Sequence, residues 1–282
     1  MNKIYIIGEI GINHNGELGL AKQLIDMAKE CGCDAVKFQK RNVEKVIPKE
    51  MWNIKKETPF GIVNYIDYKK GLELDEINYI EIDKYCKQKD IDWFASAWDK
   101  DSLKFINSFN IKYNKIASPM MKDLDFVREV AKYKKKTLIS TGMCTIKEIK
   151  KVVDIFKEEN CEFVLMHCVS IYPCPDELLN LNAIDTLVKE FNLEEIGYSG
   201  HAVGVLDAIV AAMKGATYIE KHITLDRSLF GSDQSASLEK QGLQYVVRDI
   251  RLLPIIMGTG DKSKLSEKEL KVKEKLYGRN IK

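Results

Sequence analysis

The stretch EIGYSGHAVGVLDAIVAAMKGATYIEKHIT, residues 195–224, decides the fold. It opens on a short apolar run ending at Ser199, Gly200 and His201, continues through helical spacing over 203–214, and closes on a second run ending at His222. Short runs bounded by turn residues read as strands, and longer segments with apolar residues three and four apart read as helices. The stretch is therefore a strand–helix–strand unit with parallel strands. Both histidines stand at C-terminal strand ends, where neighbouring strands can aim two imidazoles at one divalent metal.

The same alternation extends outward along the chain. Strand runs fall at 4–10, 34–39, 92–97, 113–118, 136–141, 162–168, 195–200 and 218–223, and helical segments at 17–31, 75–89, 100–109, 123–134, 145–158, 181–191, 203–214 and 239–256. Eight such pairs predict an α/β fold, the (β/α)8 TIM barrel, because right-handed crossovers between parallel strands close it naturally. The reading makes 1–260 one barrel domain and 261–282 a lysine-rich tail with a helix in SEKELKVKEKL and no second domain. His14 and His167 also fall at or just past strand ends. Residues 40–74 form an insertion after the second strand, with Pro48, Trp52, Pro59 and Tyr65. Connections that long are usually functional or disordered, and the aromatic content favours a lid or pocket wall.

Composition excludes several classes. With 45% hydrophobic and 30% charged residues the chain is neither disordered nor a membrane protein. Its 44 basic and 42 acidic residues leave no bulk charge to recruit nucleic acid or a membrane. MNK runs straight into IYIIGEIGI and then polar NHNGE, which reads as a buried first strand rather than a cleaved leader, so a cytoplasmic location is expected. The seven cysteines show no zinc-knuckle spacing and are expected as free thiols, with Cys168 and Cys174 nearest a site.

Side chains two apart share a strand face. On that parity Ser199 pairs with His201, Glu220 with His222 and Lys37 with Gln39, joined by Glu9, Lys115 and Ser140 in otherwise apolar runs. Burying an ionised group costs several kcal/mol unless it is paired, so charged groups at so many strand ends are poorly explained by packing. Lys37 alone could simply pair with Glu9. Together, Lys37 and Lys115 with Ser96, Ser118, Ser140, Ser170 and Ser199 suit a phosphate plus a carboxylate. His201 and His222 would leave most of a metal's coordination open, as a Lewis acid requires. His14, in the NHNG turn, reads equally as a hydrogen-bonding loop residue or a catalytic one, and His167 as a support. Residues 225–239, LDRSLFGSDQSASLE, read as an active-site loop offering Arg227, Asp233 and Gln234, or, for every residue except Asp233, equally as a connector capping the last helix through Ser237.

These residues resemble a known family, the sialic acid synthases and related nonulosonate synthases. The resemblance rests on EIGINHNG at 9–16, VKFQ at 36–39, FASAWD at 94–99, KIAS at 115–118, ISTGM at 139–143, HCVSIYPCP at 167–175, YSGH at 198–201, IEKHITLDR at 219–227 and GSDQSASLE at 231–239. It implies condensation of phosphoenolpyruvate with a sugar aldehyde of the N-acetylmannosamine kind, giving a 2-keto-3-deoxy sugar acid and phosphate. It also implies a divalent metal, manganese or magnesium, on His201 and His222. Lys37, Ser96, Lys115, Ser118, Ser140, Ser170 and Ser199 would bind phosphoenolpyruvate; Gln39, Tyr172, Glu220 and Asp233 would face the sugar. Glu9, Lys37 and Lys115 would be the catalytic set, with Glu9 positioning water or exchanging protons.

The chain departs from the family pattern in three ways. Gly200 stands where Asp is common and Ser232 where Pro is common, changes expected to touch the sugar side. The sequence stops at Lys282, without the small antifreeze-like domain that usually follows the barrel: either it is part of a longer chain or a one-domain member whose sugar contacts differ, and without a swapped domain a homo-oligomer is expected to use another interface. Two alternatives follow: an octulosonate-phosphate type of synthase acting on a phosphorylated pentose, and a barrel that binds sugar without turning it over.

Overall fold

Alternation along each strand decides what the barrel holds. The computed structural model describes residues 3–59 and 61–277. In chain order its elements are β1 Tyr5–Gly11, α1 Leu18–Cys31, β2 Ala35–Lys40, α2 Val43–Val46, β3 Lys55–Thr58, β4 Gly61–Asn64, α3 Tyr65–Gly71, α4 Glu76–Lys89, β5 Asp92–Ala97, α5 Lys100–Ile106 and β6 Asn114–Ile116. They continue with α6 Leu124–Lys132, β7 Thr137–Ser140, α7 Ile146–Glu158, β8 Phe163–Cys168, α8 Ala183–Phe191, β9 Ile196–Gly200, α9 Leu206–Met213, β10 Tyr218–His222, α10 Lys240–Met257 and α11 Glu267–Tyr277. Parallel pairing closes a barrel in the order β1, β10, β9, β8, β7, β6, β5, β2. The eight strand–helix pairs expected from periodicity are all present.

The helices form because their apolar residues recur at helical spacing and face the sheet. In α6 the buried stripe is Phe126, Val127, Val130 and Ala131, and in α7 it includes Ile149, Val152, Val153 and Phe156. Thr145 opens α7 with a capping box: its hydroxyl accepts from the Glu148 amide while Glu148 accepts from the Thr145 amide. Inside the barrel the N-terminal end is plugged by tyrosines. Tyr5 lies 5.3 Å from Tyr113 and 5.8 Å from Tyr218, centroid to centroid. Above them the same parity brings Ile7, Phe94, Leu138 and Met166, all fully buried. Next come the polar groups at the strand ends, so an apolar floor supports a polar mouth.

The insertion is not a structureless loop. It contains α2, a 3-10 turn at Lys49–Met51, the antiparallel β3–β4 hairpin and α3. Gly16 docks it onto the β1 turn: its φ is +80°, and a Cβ there would stand 2.1 Å from the Gly71 carbonyl oxygen. α11, in the lysine-rich tail, is exposed along its length, and residues 278–282 of that tail lie outside the described residues. No described helix is long and apolar enough to cross a membrane.

Candidate active site

A cavity of about 340 Å³ opens at the C-terminal ends of the barrel strands. That volume is within the range of small-molecule sites, roughly 300–1,000 Å³. β1 supplies Glu9, β2 Lys37 and Gln39, β5 Ser96, β6 Lys115, β7 Ser140, β9 Ser199, and β10 Glu220 and His222. Ser118, Ser170, Tyr172, His201 and Asp233 reach it from segments beyond strand ends. Every candidate residue named from the sequence for the phosphoenolpyruvate, sugar and metal roles therefore lines one space.

Two lysines and two glutamates interlock at its base. Lys37 Nζ is 2.8 Å from Glu9 Oε1 and 3.8 Å from Glu220 Oε1. Lys115 Nζ donates to Ser140 Oγ at 2.6 Å and lies 3.4 Å from Glu220 Oε2. Ser199 Oγ donates to Glu220 at 3.0 Å. The simple Lys37–Glu9 pairing is thus present, but inside a larger network that faces the cavity.

The four groups differ electrostatically. Burial, reinforced by Glu220, pushes Glu9 up to about 7 against the pull of Lys37. Burial pushes Glu220 up as well, but Lys115 and Lys37 outweigh it and hold the carboxyl down. Burial prevails at Lys115, whose pKa is lowered, while at Lys37 the two carboxylates overcome burial and raise it. Glu9 Oε2 is buried without a hydrogen-bond partner. A carboxyl poised near neutrality with a free oxygen is suited to proton exchange.

The two imidazoles lie beside this network, their ring centroids 5.4 Å apart. His201 Nδ1 is 2.8 Å from the Val169 carbonyl oxygen, so it donates there and leaves Nε2 with the lone pair. Tyr172 OH lies 2.8 Å from that Nε2. Burial lowers His222 to about 3, keeping it neutral, and its Nδ1 is buried without a hydrogen-bond partner, 3.8 Å from Asp233 Oδ2. Burial pulls the His201 pKa down, but Cys168 and the Val169 carbonyl outweigh it and raise it, so only His222 is held neutral. With His201 deprotonated, its Nε2 and His222 Nδ1, both turned from the backbone, fit a divalent metal. Among the described residues no set of three or more His, Cys, Asp or Glu side chains is placed to hold an ion. Water and substrate oxygens would have to complete the coordination.

Other candidates separate from the site. His14 is 1% exposed, its Nδ1 accepts from the Gly16 amide at 3.0 Å, and it does not line the cavity: it shapes the turn. His167 Nε2 is bonded to the Leu179 carbonyl oxygen at 2.8 Å, the supporting role expected of it. Arg227 turns to the Ser235 carbonyl oxygen, outside the cavity. Gln234 is buried, its amide reaching the Asn13 carbonyl oxygen at 3.3 Å. Asn13 Nδ2 in turn donates to Ser237 Oγ at 2.8 Å. These bonds pin the Asp233 loop to the β1 turn. All seven cysteines are free; Cys168 lines the cavity and Cys174 does not.

One expectation needs correction. Ser232 does line the cavity, but Gly200 faces away from it. Residues 198, 200 and 221 have outward parity, and there Asp207 Oδ2 accepts from Tyr198 OH and Lys221 Nζ, each at 2.8 Å. A Cβ on Gly200 would stand 2.6 Å from both Asp207 Oδ2 and Tyr198 Cε1. Gly200→Ala is therefore expected to destabilise the barrel by about 1–3 kcal/mol, read as a fall in the urea midpoint. An unchanged midpoint would refute this packing.

Among the cavity-wall residues that the sequence did not single out are three side-chain donors, Arg41, Lys69 and Trp98. The FASAWD motif contained Trp98, but no periodicity marks Arg41 or Lys69, which belong to the insertion.

Residues 24–262 match the model of the NeuB family. The chain is 35% identical over 277 residues to N,N'-diacetyllegionaminic acid synthase of Legionella pneumophila, covering 95% of this chain and 77% of that one. It is 36% identical over 266 residues to N-acetylneuraminate-9-phosphate synthase of Homo sapiens, covering 93% and 73%. Among solved structures, the N-acetylneuraminic acid (sialic acid) synthetase of Leptospira borgpetersenii serovar Hardjo-bovis, in complex with citrate, superposes with a TM-score of 0.84 at 30% identity, over 99% of this chain and 94% of that chain.

Proposed function

The chain belongs to the NeuB family, and from that premise we propose that it condenses phosphoenolpyruvate with a sugar aldehyde to give a 2-keto-3-deoxy sugar acid and phosphate. The observation that supports this most is the base of the cavity, where two buried lysines stand among hydroxyls and beside two carboxylates. Lys37 and Lys115, with Ser96, Ser118, Ser140, Ser170 and Ser199, hold the phosphate and carboxylate of the donor by charge-assisted hydrogen bonds. Gln39, Tyr172, Glu220 and Asp233 orient the sugar. A divalent ion, manganese or magnesium, on His201 and His222 would supply Lewis-acid polarisation of the sugar carbonyl.

Carbon 3 of the enol phosphate bonds to the aldehyde carbon, whose oxygen takes a proton and becomes a hydroxyl. The cationic carbon 2 is captured by water, which loses one proton and becomes a hydroxyl; as the bond from carbon 2 to the phosphate oxygen breaks, the hydroxyl proton passes to the departing phosphate, leaving the keto group and hydrogen phosphate. Ammonium groups near the departing phosphate stabilise its charge in a site partly closed to water. Glu9 holds the incoming water and takes its proton, for which its elevated pKa and free oxygen suit it.

Phosphate release that requires donor, aldose and divalent metal together is the direct test, and release without a sugar would count against the reading. The pH profile tests Glu9 separately. Below its pKa of about 7 the carboxyl is protonated and cannot accept a proton, so kcat/KM should fall about tenfold per pH unit on the acid side. Glu9→Gln should lower the rate and abolish that limb. An unchanged acid limb in the variant would assign the titration to another group.

A further inference from the structure

Three donors on the cavity wall have no part in the reaction above. Arg41 follows β2, Trp98 follows the adjacent β5, and Lys69 lies on α3 of the insertion; all line the cavity. Arg41 is 7% exposed. Glu73 engages its side-chain Nε and accepts from its backbone amide at 3.2 Å, while the guanidinium carbon lies 5.6 Å from the Trp98 ring centroid. Arg41 Nη2 and Trp98 Nε1 are both buried without a hydrogen-bond partner. The Lys69 ammonium makes no ion pair or hydrogen bond among the described residues; it sits 5.2 Å from the Tyr65 ring centroid and 5.3 Å from that of Tyr68. Burial and the Arg41 charge push its pKa down, against the attraction of Asp233 and Glu73.

Buried donors left unsatisfied are costly, and Glu73 is already committed to Arg41. A ligand that completes this wall must bring several acceptor oxygens and negative charge. A guanidinium edge, an indole N–H and an ammonium on separate elements complement a tetrahedral dianion. We infer that Arg41, Trp98 and Lys69 form a second anion subsite that takes a phosphate monoester carried by the acceptor sugar. This rests on the reading of the cavity as a phosphoenolpyruvate–aldose site, in which Lys37 and Lys115 hold the first anion.

The test compares N-acetylmannosamine with its 6-phosphate in wild type, Lys69→Met and Trp98→Phe. Arg41 is left intact because its loss would strand Glu73. Wild type should prefer the phosphorylated sugar in kcat/KM, and each variant should lower that preference, Lys69→Met by about tenfold or more. No preference in wild type, or equal losses on both sugars, would overturn the subsite. Calorimetry needs no turnover and separates the two readings. If the phosphosugar binds in a Lys69-dependent way while no condensation occurs, the subsite stands and the proposed reaction falls. If inorganic phosphate alone binds as tightly as the phosphosugar, the site belongs to free phosphate and the acceptor assignment fails.

Discussion

Lys115→Met is expected to cut phosphate release by about 10²–10³-fold and to destabilise the protein at neutral pH. Lys115 is buried, bonded to Ser140 and 3.4 Å from Glu220. In the proposed reaction its ammonium meets the donor's negative charge, which grows on the phosphate as the carbon–oxygen bond breaks. Removing one member of a buried ion pair typically costs about 3–5 kcal/mol. The loss should fall at the lower end, because Glu220 keeps Ser199 at 3.0 Å and Lys37 at 3.8 Å. The pH dependence has a definite sign. A carboxyl whose folded pKa is depressed contributes stability above its unfolded value and loses it as pH falls through the folded one. The destabilisation should therefore be largest near neutrality and shrink through the acid range. Adding Glu220→Gln should recover much of the stability without restoring phosphate release. Recovery of both in the double variant would mean that Lys115 serves the fold alone.

The second large effect is expected at His222. His222→Ala should weaken manganese binding by more than about 100-fold, since loss of groups that merely orient metal ligands already costs about 10–100-fold. Activity should fall with it. The expectation rests on the buried, unpartnered Nδ1 and on the neutral state that burial imposes. His167→Gln is the control, because His167 is tied to the Leu179 carbonyl oxygen and does not line the cavity. It should alter stability and leave manganese binding unchanged. Calorimetry or manganese electron paramagnetic resonance reads both, and equal effects at the two histidines would contradict the assignment.

The strands were legible because parallel strands buried on both faces read as short β-branched runs, and the helices because their apolar stripes recur at helical spacing. Parity then placed Glu9, Lys37, Ser199 and Glu220 on one side of the sheet, and the cavity is built from them. Parity also contained the answer for Gly200, which shares the outward face of Tyr198; the comparison of motifs by sequence position obscured it. His14 stayed ambiguous because a turn residue has no period to reveal its direction. Arg41 and Lys69 were hidden for the same reason. The insertion reaches the cavity through a contact 55 residues away in sequence, Gly16 against Gly71, which no local pattern encodes. The pairing of Lys115 with Glu220 was equally invisible, since it joins β6 to β10 across the barrel.

The most direct test of the proposed reaction uses phosphoenolpyruvate labelled with oxygen-18 at the oxygen bridging carbon 2 and phosphorus, supplied with an aldose and manganese. If carbon 2 is attacked by water and the carbon–oxygen bond breaks, the label leaves in inorganic phosphate, in equal amount with a 2-keto-3-deoxy sugar acid. Unlabelled phosphate, which signals cleavage between phosphorus and the bridging oxygen, or no sugar acid with any aldose, would contradict it.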